Sequence, residues 1–308
     1  MRPVFAVAIN TFREAVRDRV LYGVLGIATA VLLFTLVLAQ VSLDQQLRIV
    51  LDVGLASISL FSVLVAVFLG SSLLYKEIER KTLYVILPKP IRRYQFLLGK
   101  YCGIALTAFV FVAIQGAVQL LVSSIQAGVN LVLAIGVLLG MPVVLGLAMW
   151  KARDRTAVVV PWSCAALAAA AFVASTTELE LGPVLCALTL TVGEVLMLTA
   201  VALFFSSFST PFLTALLSLG VWMVGRSADT MVTMKSAAIP QTVRSGLKLL
   251  AKVWPNFDLF VPGRHTLETQ LAGAGPFTYV VNNMLYAVAY GFVVLVLASF
   301  IFQRRDFL

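Results

Sequence analysis

Residues 20–39 are twenty consecutive side chains without a charge, and similar runs recur along the 308-residue chain. At 1.5 Å per residue such a run makes a helix about 30 Å long, the thickness of a bilayer's hydrocarbon layer. Backbone in that layer has no water to bond, so it closes its hydrogen bonds within a helix or a sealed barrel. Continuous apolar runs of this length, without strict alternation, select helices. Composition agrees, since only 12% of residues are charged and 61% are hydrophobic, against about 25% charged in soluble domains. The chain reads as an all-α integral membrane protein. No charged, turn-rich block is long enough for a soluble domain, so residues 1–308 read as one transmembrane domain.

Eight spans are expected, over residues 20–39, 53–75, 101–122, 131–150, 156–174, 184–205, 212–225 and 280–302. The seventh reaches only about 21 Å, so it either starts earlier, near Ser207, or is re-entrant. Before the first span, Phe5, Ile9, Phe12 and Val16 oppose Asn10, Arg13, Glu14 and Arg17. That pattern predicts an amphipathic helix over residues 1–19 lying in the membrane interface. A secretory signal fits less well, because the following apolar core is too long and shows no cleavage site. A short polar link, 40–52, leads to the second span, where Gly54, Ser57, Ser59, Ser62, Gly70, Ser71 and Ser72 predict close helix packing. In the third span Gln115 and Gln119 share a face with Thr107 and Phe111. Two amides at membrane depth need partners, so this face points inward. Within the long 226–279 segment, residues 241–253 place Val243, Leu247 and Leu250 opposite Arg244, Lys248 and Lys252. They read as a helix resting on lipid or as an outer lid.

Charge sets the expected sidedness. With the N-terminus inside, residues 1–19, 76–100, 151–155 and the C-terminal tail face the cytoplasm and hold 16 of the 23 Lys and Arg. This satisfies the positive-inside rule and puts both termini in the cytoplasm. The net charge of +9 is then a matter of topology and anionic membrane lipids, with no nucleic-acid partner implied. Cys102, Cys164 and Cys186 form no CxxC pair, and His265 has no second ligand nearby. Neither a disulfide framework nor a metal site is expected.

Two features carry the functional reading. The 76–100 island, KEIERKTLYVILPKPIRRYQFLLGK, contains seven of the 23 Lys and Arg. Residues 75–80 extend the second span out of the membrane, 81–87 suit a short helix, Pro88 and Pro90 end it, and a new helix starts at Arg92. A stubby helix held between two spans presents Glu77, Glu79, Arg80, Lys81 and Tyr84 to a partner groove. The second feature is Glu194, midway along the sixth span. A carboxylate there is costly unless paired or protonated. It is either a structural acid held by partners such as Gln115 or Gln119, or part of a substrate or proton path, in which Gln115 and Gln119 are the other candidate residues. No GxxxxGK[ST] stretch occurs, so ATP binding and hydrolysis would belong to another chain and this one would carry no cofactor.

GSSLLYKEIERKTLYVILPKPIRRYQFLLGKYCG (70–103) resembles the ABC-2-type permeases, especially the branch that includes the permease of the nitrous-oxide-reductase copper-maturation system. The N-terminal NTFREAVRDRVLY, ALFFSSFSTPFLTALLSLG (202–220) and the tail FQRRDFL agree. The resemblance implies a non-catalytic permease subunit in a prokaryotic cell (inner) membrane. It would dimerise, pair with two ATP-binding cassette ATPase subunits and export its substrate. It would insert a coupling helix, about Arg80 to Leu87 and including Thr82 and Leu83, into a groove on each ATPase. Members of this branch look six-spanned, and here residues 128–175 add a helical hairpin. Copper handling favours Cys and His clusters, which this chain lacks, and Met231 with Met234 is a weak substitute. Two other classes stay open. One is an ion-coupled secondary transporter using Glu194; the other is an integral membrane enzyme, for which no nucleophile or metal cluster is evident.

Overall fold

A computed structural model describes residues 2–41, 45–79, 92–152, 154, 156–227, 254–261 and 275–304. Among these are nine α-helices and no strands: α1 Arg2–Val16, α2 Arg19–Ala39, α3 Gln46–Glu79, α4 Arg93–Gln126, α5 Leu131–Lys151, α6 Val159–Ala174, α7 Leu181–Ser206, α8 Pro211–Arg226 and α9 Pro276–Arg304. Arg80, Lys81, Thr82, Leu83 and Tyr84 lie outside the described residues, as do 241–253, His265, Met231 and Met234.

Six helices (α2, α3, α4, α5, α7 and α9) are long and apolar enough to cross a membrane. The fifth and seventh expected spans are the shorter apolar helices α6 and α8, 16 residues each and so about 24 Å long. The helix ends have local causes. Asp18 accepts the Val20 N–H at 3.0 Å ahead of α2, and Asn130 accepts the Val132 N–H at 3.0 Å ahead of α5. After α4, the Val129 N–H reaches Ser124 O at 3.0 Å and the Gly128 N–H reaches Ile125 O at 3.2 Å. That bonding pattern requires a left-handed residue, which Gly128 supplies at φ 86°.

Two expected boundaries move. The 40–52 link is helical from Gln46, because Val50 is fully buried and Leu47 and Leu51 pack beside it. Those residues continue the core-facing side of α3 past Arg48 and Asp52. The seventh helix does not begin near Ser207. Ser207 and Ser209 turn their hydroxyls onto Phe204 O and Phe205 O at 2.7 and 2.8 Å, and Pro211 opens α8 as its first residue.

The residues form two compact units, one of 1–7, 66–101 and 193–308, the other of 8–65 and 102–192. In the second unit, Leu32, Val50, Ile58, Leu120, Ala170 and Leu188 belong to one buried cluster. Here Phe12 and Val16 of α1 pack with Val110 and Val159. This part of the amphipathic stripe is therefore covered by protein, while Phe5 stays 68% exposed. Arg13 is paired with Asp154 in the turn between α5 and α6, so α1 and that turn share one side. In the first unit, Arg93 donates to Phe302 O at 3.2 Å and Phe96 stacks on Phe302. The start of α4 and the end of α9 therefore share a side as well.

Candidate functional site

Glu194 stands close to the middle of the 26-residue helix α7 and its side chain is 0% exposed. A carboxylate so placed forfeits its hydration and must be compensated by charge and hydrogen bonds. Its partners come from α8. Trp222 Nε1 donates to Glu194 Oε1 at 2.7 Å, and Arg226 Nη1 donates to the same oxygen at 2.6 Å. Trp222 and Arg226 are four residues apart and so share a helix face. The guanidinium also lies over the indole, 5.3 Å from its centroid, a cation–π contact. The three side chains form one cluster, with Arg226 25% exposed and the carboxylate sealed.

Geometry explains the short α8. Both helices leave the 207–210 turn, and Arg226, the last residue of α8, meets the middle of α7. The helix therefore stops well short of the far end of its neighbour. Chain from further along closes over this stop. Trp254 Nε1 donates to Val221 O at 3.0 Å, and the Phe257 N–H donates to Gly225 O at 3.1 Å. A Cβ on Gly225 would collide with Pro255 O and the Phe257 ring, so glycine is what admits this approach. Phe257 and Phe260 are buried, and Phe260 stacks on Tyr286 of α9. Tyr286 Oη accepts the Asn256 N–H at 3.1 Å, and Tyr279 Oη donates to Leu259 O at 2.8 Å. Phe260 also lies against Gly193, the residue before Glu194. The 254–260 segment is thus a fixed apolar plug beside the ion pair.

The other sequence-derived candidates fall elsewhere. Gln115 and Gln119 belong to the second unit, Glu194 to the first. Gln115 Nε2 donates to Leu25 O at 3.1 Å and Thr29 Oγ1 at 3.3 Å; Gln119 Nε2 donates to Val50 O at 3.0 Å and Ser123 Oγ at 3.2 Å. Both side chains are buried, as expected, and they tie α4 to α2 and α3. The amides offered as holders of Glu194 are thus engaged by backbone, and the acid is held by Arg226 and Trp222. Glu77 and Glu79 lie on the last turns of α3; the rest of the coupling set lies outside the described residues. Sequence reasoning missed Arg226 because a basic residue after an apolar run reads as a flank. The available signal was Trp222 and Arg226 on one face of a span too short to cross. In the second span Ser57 and Ser62 turn their hydroxyls onto Val53 O at 2.7 Å and Ile58 O at 2.6 Å.

Among the described residues no group of three or more His, Cys, Asp or Glu is placed to hold a metal. What the cluster offers is a single buried ion pair in an apolar wall, an arrangement suited to joining or releasing two helices. No curated protein matches the chain. Residues 5–307, nearly the whole length, match the family described as ABC-2 family transporter protein, and the chain belongs to that family of membrane transport components.

Proposed function

We propose that this chain is the permease subunit of an ABC exporter, working as a dimer with a second permease copy and driven by separate ATP-binding cassette subunits. The observation that carries the reading is that a chain of this transporter family, matched over residues 5–307, contains no phosphate-binding loop. Its energy then arrives through a docking surface. The best-suited element is the charged 76–100 island, with Glu77, Glu79, Arg80, Lys81, Thr82, Leu83 and Tyr84 as the contact set. Both same-side pairings, Arg13 with Asp154 and Arg93 with Phe302, agree with a topology that puts the basic segments and both termini in the cytoplasm of a prokaryotic cell. The protein is non-catalytic in this reading.

Glu194 remains the candidate path residue, now acting with Arg226. On this topology α8 rises from the cytoplasmic side and ends in mid-membrane, and the 254–260 plug closes the outer half. Outward opening would separate α8 from α7 at the Glu194–Arg226 contact.

The test is the double variant Glu79→Ala with Arg80→Ala, co-purified with candidate ATPases. It is expected to lose the ATPase subunit, or to hydrolyse ATP without substrate stimulation, while its thermal unfolding matches wild type. Wild-type assembly and coupling would overturn the docking assignment.

A further inference from the structure

The second unit contains a cavity of about 490 Å³ unrelated to the Glu194 cluster. It lies among α2, α4, α5 and α6, with Leu25, Leu33, Phe111, Met141, Trp162 and Ala166 in its wall, and no charged residue lines it. Three of its polar groups are already bonded: Thr29 donates to Leu25 O at 2.8 Å, Thr107 to Gly103 O at 2.9 Å, and Trp162 Nε1 to Met141 O at 3.1 Å. A ligand here therefore meets hydrocarbon and spent donors, which selects an apolar guest. In length the cavity runs along α5 from Met149 to Leu138, about 17 Å of helix, close to half of an about 30 Å hydrocarbon layer. It is not sealed from lipid, since Tyr22 is 55% and Leu33 39% exposed. At the Met149 end, Val16 also lines the wall. Arg17, next in sequence to Val16, and Lys151, two residues beyond Met149, are both exposed. One leaflet deep, apolar along its length and with exposed cations next in sequence to one end, the space has the pattern of a single phospholipid tail below an anionic headgroup.

We propose that this cavity holds one acyl chain of an anionic phospholipid, resident between the core helices and the α5–α6 hairpin, with its phosphate at Arg17 and Lys151. The lipid fills a seam that helix packing leaves open. It is a structural ligand and does not follow the transport cycle.

Trp162 is the reporter. The full chain carrying Trp150→Phe, which removes a residue 83% exposed, is reconstituted in vesicles of phosphatidylglycerol with brominated acyl chains. It is then washed extensively in detergent. Expected is tryptophan quenching that survives washing and disappears when Trp162→Phe is added. In the Arg17→Gln, Lys151→Gln variant the retained quenching should fall at least threefold. Native mass spectrometry of the unsubstituted chain should count one retained phosphatidylglycerol. Quenching fully lost on washing, or unaffected by Trp162→Phe, would overturn the proposal, and equal retention without the two cations would overturn the headgroup assignment. Release of the lipid during ATP turnover by the assembled transporter would make it cargo and overturn its resident role.

Discussion

Glu194 and Arg226 are unequal partners, and the difference sets what each substitution does. The carboxylate is sealed, while the Arg226 side chain keeps 25% of its surface exposed. Arg226→Met strands a buried charge, for which about 3–5 kcal/mol of destabilisation is expected. Glu194→Gln keeps an acceptor for Trp222 and should cost clearly less. The double variant removes both charges and should regain most of the loss. Chemical unfolding of the four proteins in detergent measures this, and additive losses would show that the pair is not coupled. The carboxylate was legible in the sequence as a group in need of a partner. The partner was not, because it lies 32 positions away and resembles any basic residue at a membrane edge. The glutamines misled for a related reason: a buried amide announces that it needs a bond, and any backbone carbonyl can supply one.

At the scale of elements, the charge-free runs were sufficient to place the long helices, because in lipid an apolar run of that length has few alternatives. What could not be read were the ends. Arg48 and Asp52 suggested a link, yet buried Val50 carries the helix face through them. α8 looked like an incomplete span, and its length makes sense only beside the plug that covers its end. That packing makes a sharp prediction. Gly225→Ala should force Pro255 and Phe257 off the helix, costing about 1–3 kcal/mol and shifting Trp254 emission to the red. Gly220→Ala is the control, since nothing lies within 4 Å of a Cβ there. Equal behaviour of the two variants, in unfolding and in emission, would contradict the close approach.

For the whole molecule, the all-helical membrane architecture and the family were both legible in the sequence, and the family model and the helices agree with them. The charged island drew notice because a charge-poor chain concentrates seven of its 23 Lys and Arg there, and docking is the role proposed for it. Coupling of this permease to a separate ATPase is proposed, and ATP hydrolysis by the reconstituted pair is its test. A candidate ATP-binding subunit co-expressed with the chain should co-purify and, in liposomes, hydrolyse ATP at a rate that depends on the permease and falls to that of the isolated ATPase with Glu79→Ala and Arg80→Ala. Substrate export driven by an ion gradient, with no ATPase present, would contradict the account.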